Sequence, residues 1–287
     1  MKNTNYRRLR RGTTLVELLV GIVLFAIIGT LFTQLITVQG RFYDRQSMGN
    51  AARNVSRASL NRLISDFRMI EPTGGIIAAS PTSLTIRVPF AIGVMCATAS
   101  GVTQITLLPV DSTTYANAGF YGYAWRNYIT GAYSFVENPA TEAPGSPAVC
   151  TGLNVTTVTN GKVVQLTPVL PNGAGLGTPV FLYSKIRYDF KASTAIPGSL
   201  GLYRTSIAPN GVETAEELVA PFANTAGWKF FVINGGAVAQ TNPPATLSDM
   251  RGLELHLDGL SETTAATRTA PESAPFTTAV FFKNITN

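Results

Sequence analysis

The spacing of apolar residues divides the chain in two. From Leu18 to Val38 no charged residue interrupts an apolar run of 21 positions (18 to 38). As a helix, that is about the length that crosses a bilayer core of ~30 Å. Beyond Gly40 the apolar residues keep to one face. Leu60, Leu63, Ile64 and Phe67 stand at i, i+3, i+4, i+7, and Ala52, Val55 and Ile70 extend the stripe. Arg53, Arg57, Arg62 and Arg68 fall largely off it and read as a solvated face, with Asp44, Asp66 and Glu71 nearby. No proline occurs between Gly12 and Pro72, and Pro72 followed by Gly74-Gly75 is a strong stop. The pattern predicts one helix from Thr13 to about Ile70, ~87 Å long at ~1.5 Å per residue. Its first half is apolar all round; its second half offers one apolar face to a folded domain.

From Ile76 the period shortens to that of strands. Residues 83–90, 101–109, 162–169, 179–190, 201–207, 227–234, 252–260 and 276–285 are β-type runs bounded by Gly, Pro and Ser. Leu253, Leu255 and Leu257 alternate with Glu254, His256 and Asp258, as in a half-buried strand with the polar residues toward solvent. Residues 216–219 (Glu-Glu-Leu-Val) predict a turn of helix. Residues 138–147 and 171–179 read as loops, as do the stretches PPATLSDM and LSETTAATRTAPESAP. No internal repeat is present. The fold class that follows is α+β: a long N-terminal helix packed on a mostly antiparallel β-sheet domain. The boundaries are a leader at 1–12, the helix at 13–71 (membrane-spanning about 15–38, amphipathic 41–71) and an extracytoplasmic β-rich domain at 72–287.

Charge changes this picture through its placement. Of 22 basic and 16 acidic side chains, five basic ones (Lys2, Arg7, Arg8, Arg10, Arg11) and no acid lie in residues 1–12, so the remainder carries 17 − 16 = +1. A nucleic-acid binder concentrates its excess on the folded domain. Here the excess precedes an apolar span, where basic residues stay cytoplasmic and leave the rest of the chain outside. Such a compartment permits a disulfide. Cys96 and Cys150 are the two cysteines and allow one intramolecular pairing, the alternative being two buried thiols.

One residue breaks the apolar pattern. Glu17 opens the span, where a carboxylate is expensive unless paired. The stretch RRG-TTLVELLVGIVLFAIIG around it resembles the class III signal of type IV pilins and type II secretion pseudopilins. That resemblance implies cleavage by a prepilin peptidase between Gly12 and Thr13, methylation of the new Thr13 amine, and an assembly role for Glu17 as fifth residue of the mature chain. Thr13 departs from the more usual Phe or Met. A mid-span proline, common in major pilins, is absent here, which is closer to pseudopilins and minor pilins. The order YSKIRYDF, GLYRTS, EELVAPF, WKFFVIN, RGLELHL, FTTAVFFKN is similar to J-type minor pseudopilins and PilW-like minor pilins, over about Phe181 to Asn284. The implied partners are other pilin or pseudopilin subunits at a filament tip, the prepilin peptidase, an inner-membrane assembly platform and membrane lipid; no nucleic acid is expected. The implied setting is the bacterial inner membrane, with the N-terminus cytoplasmic and the domain periplasmic or extracellular. Two functions follow: a J-like minor pseudopilin priming or capping a secretion pseudopilus, or a PilW-like minor pilin in pilus biogenesis, motility, adhesion or DNA uptake.

Candidate chemistry adds little. His256 is the lone histidine, beside Glu254 and Asp258. No G-x-S-x-G element, phosphate loop, paired-cysteine zinc motif or dense carboxylate loop occurs, so no catalytic residue, metal or cofactor is expected. The aromatic run at 115–135 contains one basic residue, Arg126, and reads as core or subunit interface rather than a stacking platform for single strands. The rival class is a signal-anchored binding protein or enzyme that merely borrows an apolar helix.

Overall fold

In the computed structural model of the chain, residues 14–71, 73–99, 101–137, 141–145, 150, 161–170, 174–233, 235–264 and 268–282 are described. Helix α1 runs from Leu15 to Phe67, 53 residues or ~80 Å. It starts at a capping box made by Thr14 and Glu17 and ends in a turn over Arg68–Ile70, where the Arg68 N–H reaches the Ile64 carbonyl at 3.1 Å. Its buried residues are Ala52, Ser56, Ser59, Leu63, Asp66 and Phe67, a stripe of helical period confined to the second half.

All strand pairs are antiparallel. The strands are β1 (Ile76–Ala79), β2 (Ser83–Ala99), β3 (Val102–Leu107), β4 (Gly122–Arg126), β5 (Tyr133–Val136), β6 (Thr141–Pro144), β7 (Lys162–Thr167), β8 (Pro179–Ala192), β9 (Leu200–Ile207), β10 (Glu213–Phe222), β11 (Gly227–Val232), β12 (Met250–His256), β13 (Gly259–Leu260), β14 (Ser273–Ala274) and β15 (Thr277–Phe281). A short helix α2 (Pro109–Asn117) follows β3. The main sheet runs β14-β13-β10-β9-β8-β2-β3-β7-β6, with β1 on β2 and the β4–β5 hairpin on β8; β11-β12-β15 form a second sheet. The architecture is α+β, as the periodicities imply.

Two long strands carry two cores. The first half of β2 pairs with the second half of β8, and their inward residues Leu84, Ile86, Ile186, Tyr188 and Phe190 meet Leu63 and Phe67 of α1. The three-stranded sheet closes the same core with Trp228, Phe230, Leu253, Leu255 and Val280. Phe67 lies at the junction, its ring 5.6 Å from Tyr188 and 5.8 Å from Trp228 in edge-on geometry. The other halves of β2 and β8 build a second core, of Met95, Ile105, Tyr123, Trp125, Leu166 and Leu182, without help from α1. The register shift at Pro89/Ala91 separates the two.

Polar contacts fix the seat of α1. Tyr188 Oη donates to Asp66 Oδ2 at 2.5 Å, and Arg204 Nε lies 3.7 Å from the same oxygen. Burial, then the Asp66 charge, push the Tyr188 hydroxyl well above its ordinary range. Ser56 Oγ donates to the Leu257 carbonyl at 2.6 Å and accepts the Gly259 N–H at 3.2 Å. A Cβ on Gly259 would collide with the Ala52 carbonyl, so glycine permits this close helix–strand approach.

Several segments differ from the sequence pattern. Residues 216–219 are strand, within β10, because pairing along β9 overrides the helical preference of Glu-Glu-Leu. The run at 252–260 is broken into β12 and β13 at Leu257-Asp258. Residues 141–144, read as loop, form β6 on the edge of β7. Residues 138–140 and 146–149 lie outside the described residues.

Candidate functional site

The feature that sets this chain apart is the first half of α1. From Thr14 to Ser47 every residue is exposed. That includes Leu15 at 80% and Phe25 at 82%. It is the one helix among the described residues long and apolar enough to cross a membrane. Its threonine hydroxyls suit hydrocarbon. Thr30 Oγ1 donates to the Ile27 carbonyl at 2.7 Å, Thr33 Oγ1 to Gly29 at 2.6 Å and Thr37 Oγ1 to Thr33 at 2.8 Å, so these hydroxyls are satisfied within the helix.

Glu17 sits at the mouth of this span. Its Oε2 accepts the Thr14 N–H at 2.9 Å and lies 3.2 Å from Thr14 Oγ1, which accepts the Glu17 N–H at 3.3 Å. The helix N-terminus favours negative charge there. Among the described residues the carboxylate is bonded through Oε2 alone. Gly12 and Thr13, the expected processing pair, lie outside the described residues.

Cys96 and Cys150 form the disulfide, with Cα atoms 5.0 Å apart across 54 positions. Both are buried, beside Val163, at the far edge of the second core from α1. The bond ties β2 to the segment that precedes β7.

The remaining candidates resolve into structural roles. His256 Nε2 is 2.6 Å from Glu254 Oε1, and Lys229 Nζ is 3.7 Å from the same oxygen. Asp258 stands apart: β12 has ended, and its carboxylate accepts from Thr225 Oγ1 at 2.5 Å. The expected row of three is therefore a half-buried pair plus a turn residue, with no hydroxyl or thiol bonded to the imidazole among the described residues. No group of three or more His, Cys, Asp or Glu suited to a metal occurs among them. The aromatic run splits: Tyr123 and Trp125 fill the second core, while Tyr128, 73% exposed, stands at the β4–β5 turn. A small cavity between the end of α1, β2, β5 and β8 is lined by Glu71, Arg87, Tyr133, Phe135 and Tyr183. Burial raises both the Glu71 carboxyl and the Tyr133 hydroxyl, and Arg87 is already held by Glu137 and stacked 4.6 Å over Phe135.

One electrostatic feature escaped the sequence pattern. Burial would raise the Glu217 carboxyl, but hydrogen bonds from Ser193, Thr194 and Tyr203 outweigh it and hold the group at about 2. This carboxylate clamps the β8–β9 loop, with Thr194 Oγ1 at 2.6 Å and Tyr203 Oη at 2.8 Å. Nothing in a lone Glu-Glu pair signals such a role.

Comparison with protein-family profiles, with curated proteins and with solved structures gave no match for this chain.

Proposed function

We propose that this chain is a minor pseudopilin of J type, anchored by α1 in the bacterial inner membrane and assembled through that helix into a periplasmic pseudopilus for protein secretion. The observation that carries the reading is the divided α1: one unbroken helix, apolar and uncovered over its first half, seated on the domain over its second, with Glu17 at its start. The capping box with Thr14 gives Glu17 a local role, but a carboxylate at the mouth of an apolar span also calls for a counter-charge.

The basic leader stays cytoplasmic and the domain lies outside. The prepilin peptidase cuts between Gly12 and Thr13, and the Thr13 amine is methylated. That amine is the counter-charge that an intramembrane carboxylate requires. In a growing fibre, the amine of an incoming subunit meets Glu17 on its neighbour and sets the axial register. Transfer of the helix from lipid into a bundle of like helices exchanges one apolar surrounding for another, so packing and the polar pair, not the hydrophobic effect, decide assembly. The domain, which contributes no reactive constellation among the described residues, selects partners and sits at the fibre tip.

Glu17→Ala tests this. The expected result is normal expression, folding and membrane insertion with loss of fibre assembly and of secretion. Full assembly and function of the variant would sink the reading and favour a signal-anchored binding protein. A deletion strain places the fibre: loss of an exported protein marks the secretion pseudopilus, whereas loss of surface fibres or fibre-driven motility marks a PilW-like type IV minor pilin.

A further inference from the structure

We propose that β15 is a docking edge, at which an extended segment of a different chain adds as the next strand of the three-stranded sheet. The backbone supplies the first argument. Leu257 N–H donates to the Phe276 carbonyl and Phe282 N–H to the Arg251 carbonyl, with Leu255 opposite Thr278 and Leu253 opposite Val280. Even-numbered residues therefore bond to β12. The N–H and C=O groups of Thr277, Ala279 and Phe281 point the other way and meet no partner among the described residues.

The second argument is that the other edges are guarded and this one is not. An open edge templates further pairing, and proteins blunt it with charge, proline, bulges or a covering segment. β10 presents Glu213, Glu216 and Glu217 and is interrupted by two register shifts. β6 is short and carries Glu142 and Pro144. β14 has two residues, between Pro271 and Pro275. The Phe230–Gln240 bridge occupies the outer side of β11. The turn at Leu247–Asp249 packs beside β1, and β5 is four residues long with the Arg87 guanidinium over its Phe135 ring. β15 reads Thr-Thr-Ala-Val-Phe, with no charge, no proline and an unbroken register.

Side chains beside the edge describe the occupant. Gly252 lies opposite both Phe231 and Phe281; a Cβ there would meet Phe281 Cδ1 at 2.8 Å. Its absence lets the two rings stack at 4.9 Å, yet Phe281 stays 54% exposed. The Arg251 guanidinium lies 5.9 and 6.0 Å from the two ring centroids, donates from Nη2 to the Gly236 carbonyl, and pairs with no carboxylate among the described residues. The occupant is thus an extended apolar segment flanked by an acidic residue, which lays an apolar side chain on Phe281 and brings its carboxylate to Arg251. A second copy does not fit. Its β15 reads Thr-Thr-Ala-Val-Phe and, paired antiparallel about Ala279, sets Phe276 opposite Phe282, so that strand brings no carboxylate of its own to Arg251. In the fibre of the proposed function, on which this assignment of partner rests, the natural donor is another tip subunit.

Backbone amide exchange on the full chain in detergent tests the edge, with and without a Val-Thr-Val-Thr-Val peptide flanked by Asp, and again in the assembled fibre. The expected result is fast exchange of the Thr277, Ala279 and Phe281 amides in the free chain and at least a tenfold slowing with peptide or in the fibre, while the β10 edge is unchanged. Ala279→Pro removes an N–H that faces outward, so the domain keeps its melting temperature but loses the slowing. Thr278→Pro removes a bond to β12 and lowers the melting temperature. Edge amides that stay fast with peptide and in the fibre, or an Ala279→Pro chain protected like the wild type, overturn the proposal. Protection by peptide in a chain that builds no fibre would count against the assembly reading and still support this edge.

Discussion

The two halves of α1 reverse the usual relation between composition and burial. From Leu15 to Val38 the helix is almost wholly apolar and wholly exposed. From Ala52 to Phe67 it carries Arg53, Arg57 and Arg62 and buries two serines, an aspartate, an alanine, a leucine and a phenylalanine. Hydrophobicity alone does not decide which half finds a partner within the chain. The second half has a complement folded against it, down to a phenol for Asp66 and a side-chain-free glycine for Ala52. The first half has none among the described residues; on the proposed reading, lipid covers it before assembly and other helices after it.

The sharpest way to break this comparison is to truncate one aromatic in each half. Phe67→Ala should cost the domain about 3–5 kcal/mol, the range for emptying a well-packed aromatic site. Phe25→Ala should change it by less than about 0.5 kcal/mol, as exposed substitutions do. Urea unfolding in detergent, followed by Trp228 fluorescence, reads both. Equal effects would deny the division.

Reducing the Cys96–Cys150 bond comes next. A loop of this size predicts a loss of about 2–4 kcal/mol. It should fall on the second core and leave amide protection of α1 residues 52–67 in place, because α1 contributes nothing to that core. Simultaneous loss of both would show that the two cores unfold as one.

The seat of α1 is tested by removing its polar lock. Asp66→Ala should cost about 2–3 kcal/mol and Tyr188→Phe about 1–2 kcal/mol, since each leaves a buried polar group unpaired. The double variant should cost less than the sum, the sign of direct coupling.

Acid gives the smallest effect. Against burial, hydrogen bonds from Ser193, Thr194 and Tyr203 hold the Glu217 carboxyl at about 2, below the ordinary carboxylate value of 4.5. A depressed carboxyl stabilises the fold above the unfolded value, and that stability drains away as pH falls through the folded one. The loss should therefore appear between about pH 4.5 and 2. Glu217→Gln should remove that part of the acid dependence and cost about 1 kcal/mol at neutral pH. The apolar half of α1 should not respond.

How legible these features were depends on how local their causes are. The helix was readable from end to end, because an apolar run, an amphipathic stripe and a terminal Pro-Gly-Gly are all written within one segment. The observed bounds, Leu15–Phe67, differ from the expected ones by two or three residues at each end. β8 was equally plain: Ile186, Tyr188 and Phe190 alternate with Lys185, Arg187, Asp189 and Lys191. β2 runs to Ala99, past the expected residue 90, because Gly93, Ala97 and Ala99 are small and carry no β signal of their own; β3 and β8 recruit them. β10 was misread because its acidic residues are satisfied by distant groups, Glu213 by Arg187 and Glu217 by the β8–β9 loop. α2, opened by Pro109, was missed for want of an apolar stripe. At the candidate site, the oddity of Glu17 was visible in the sequence, but its reciprocal cap with Thr14 was seen only in the structure. The disulfide partners followed from there being two cysteines. The free edge of β15 is a property of sheet order, which no single segment encodes.

The most direct test of the account is the mass of the mature N-terminus, taken on chain purified from membranes of its native host. The account predicts a polypeptide that begins at Thr13 and carries one methyl group on its amine. A chain that still begins at Met1, or one cut beyond residue 30, would contradict it, because Glu17 would then lack the amine it is placed to meet.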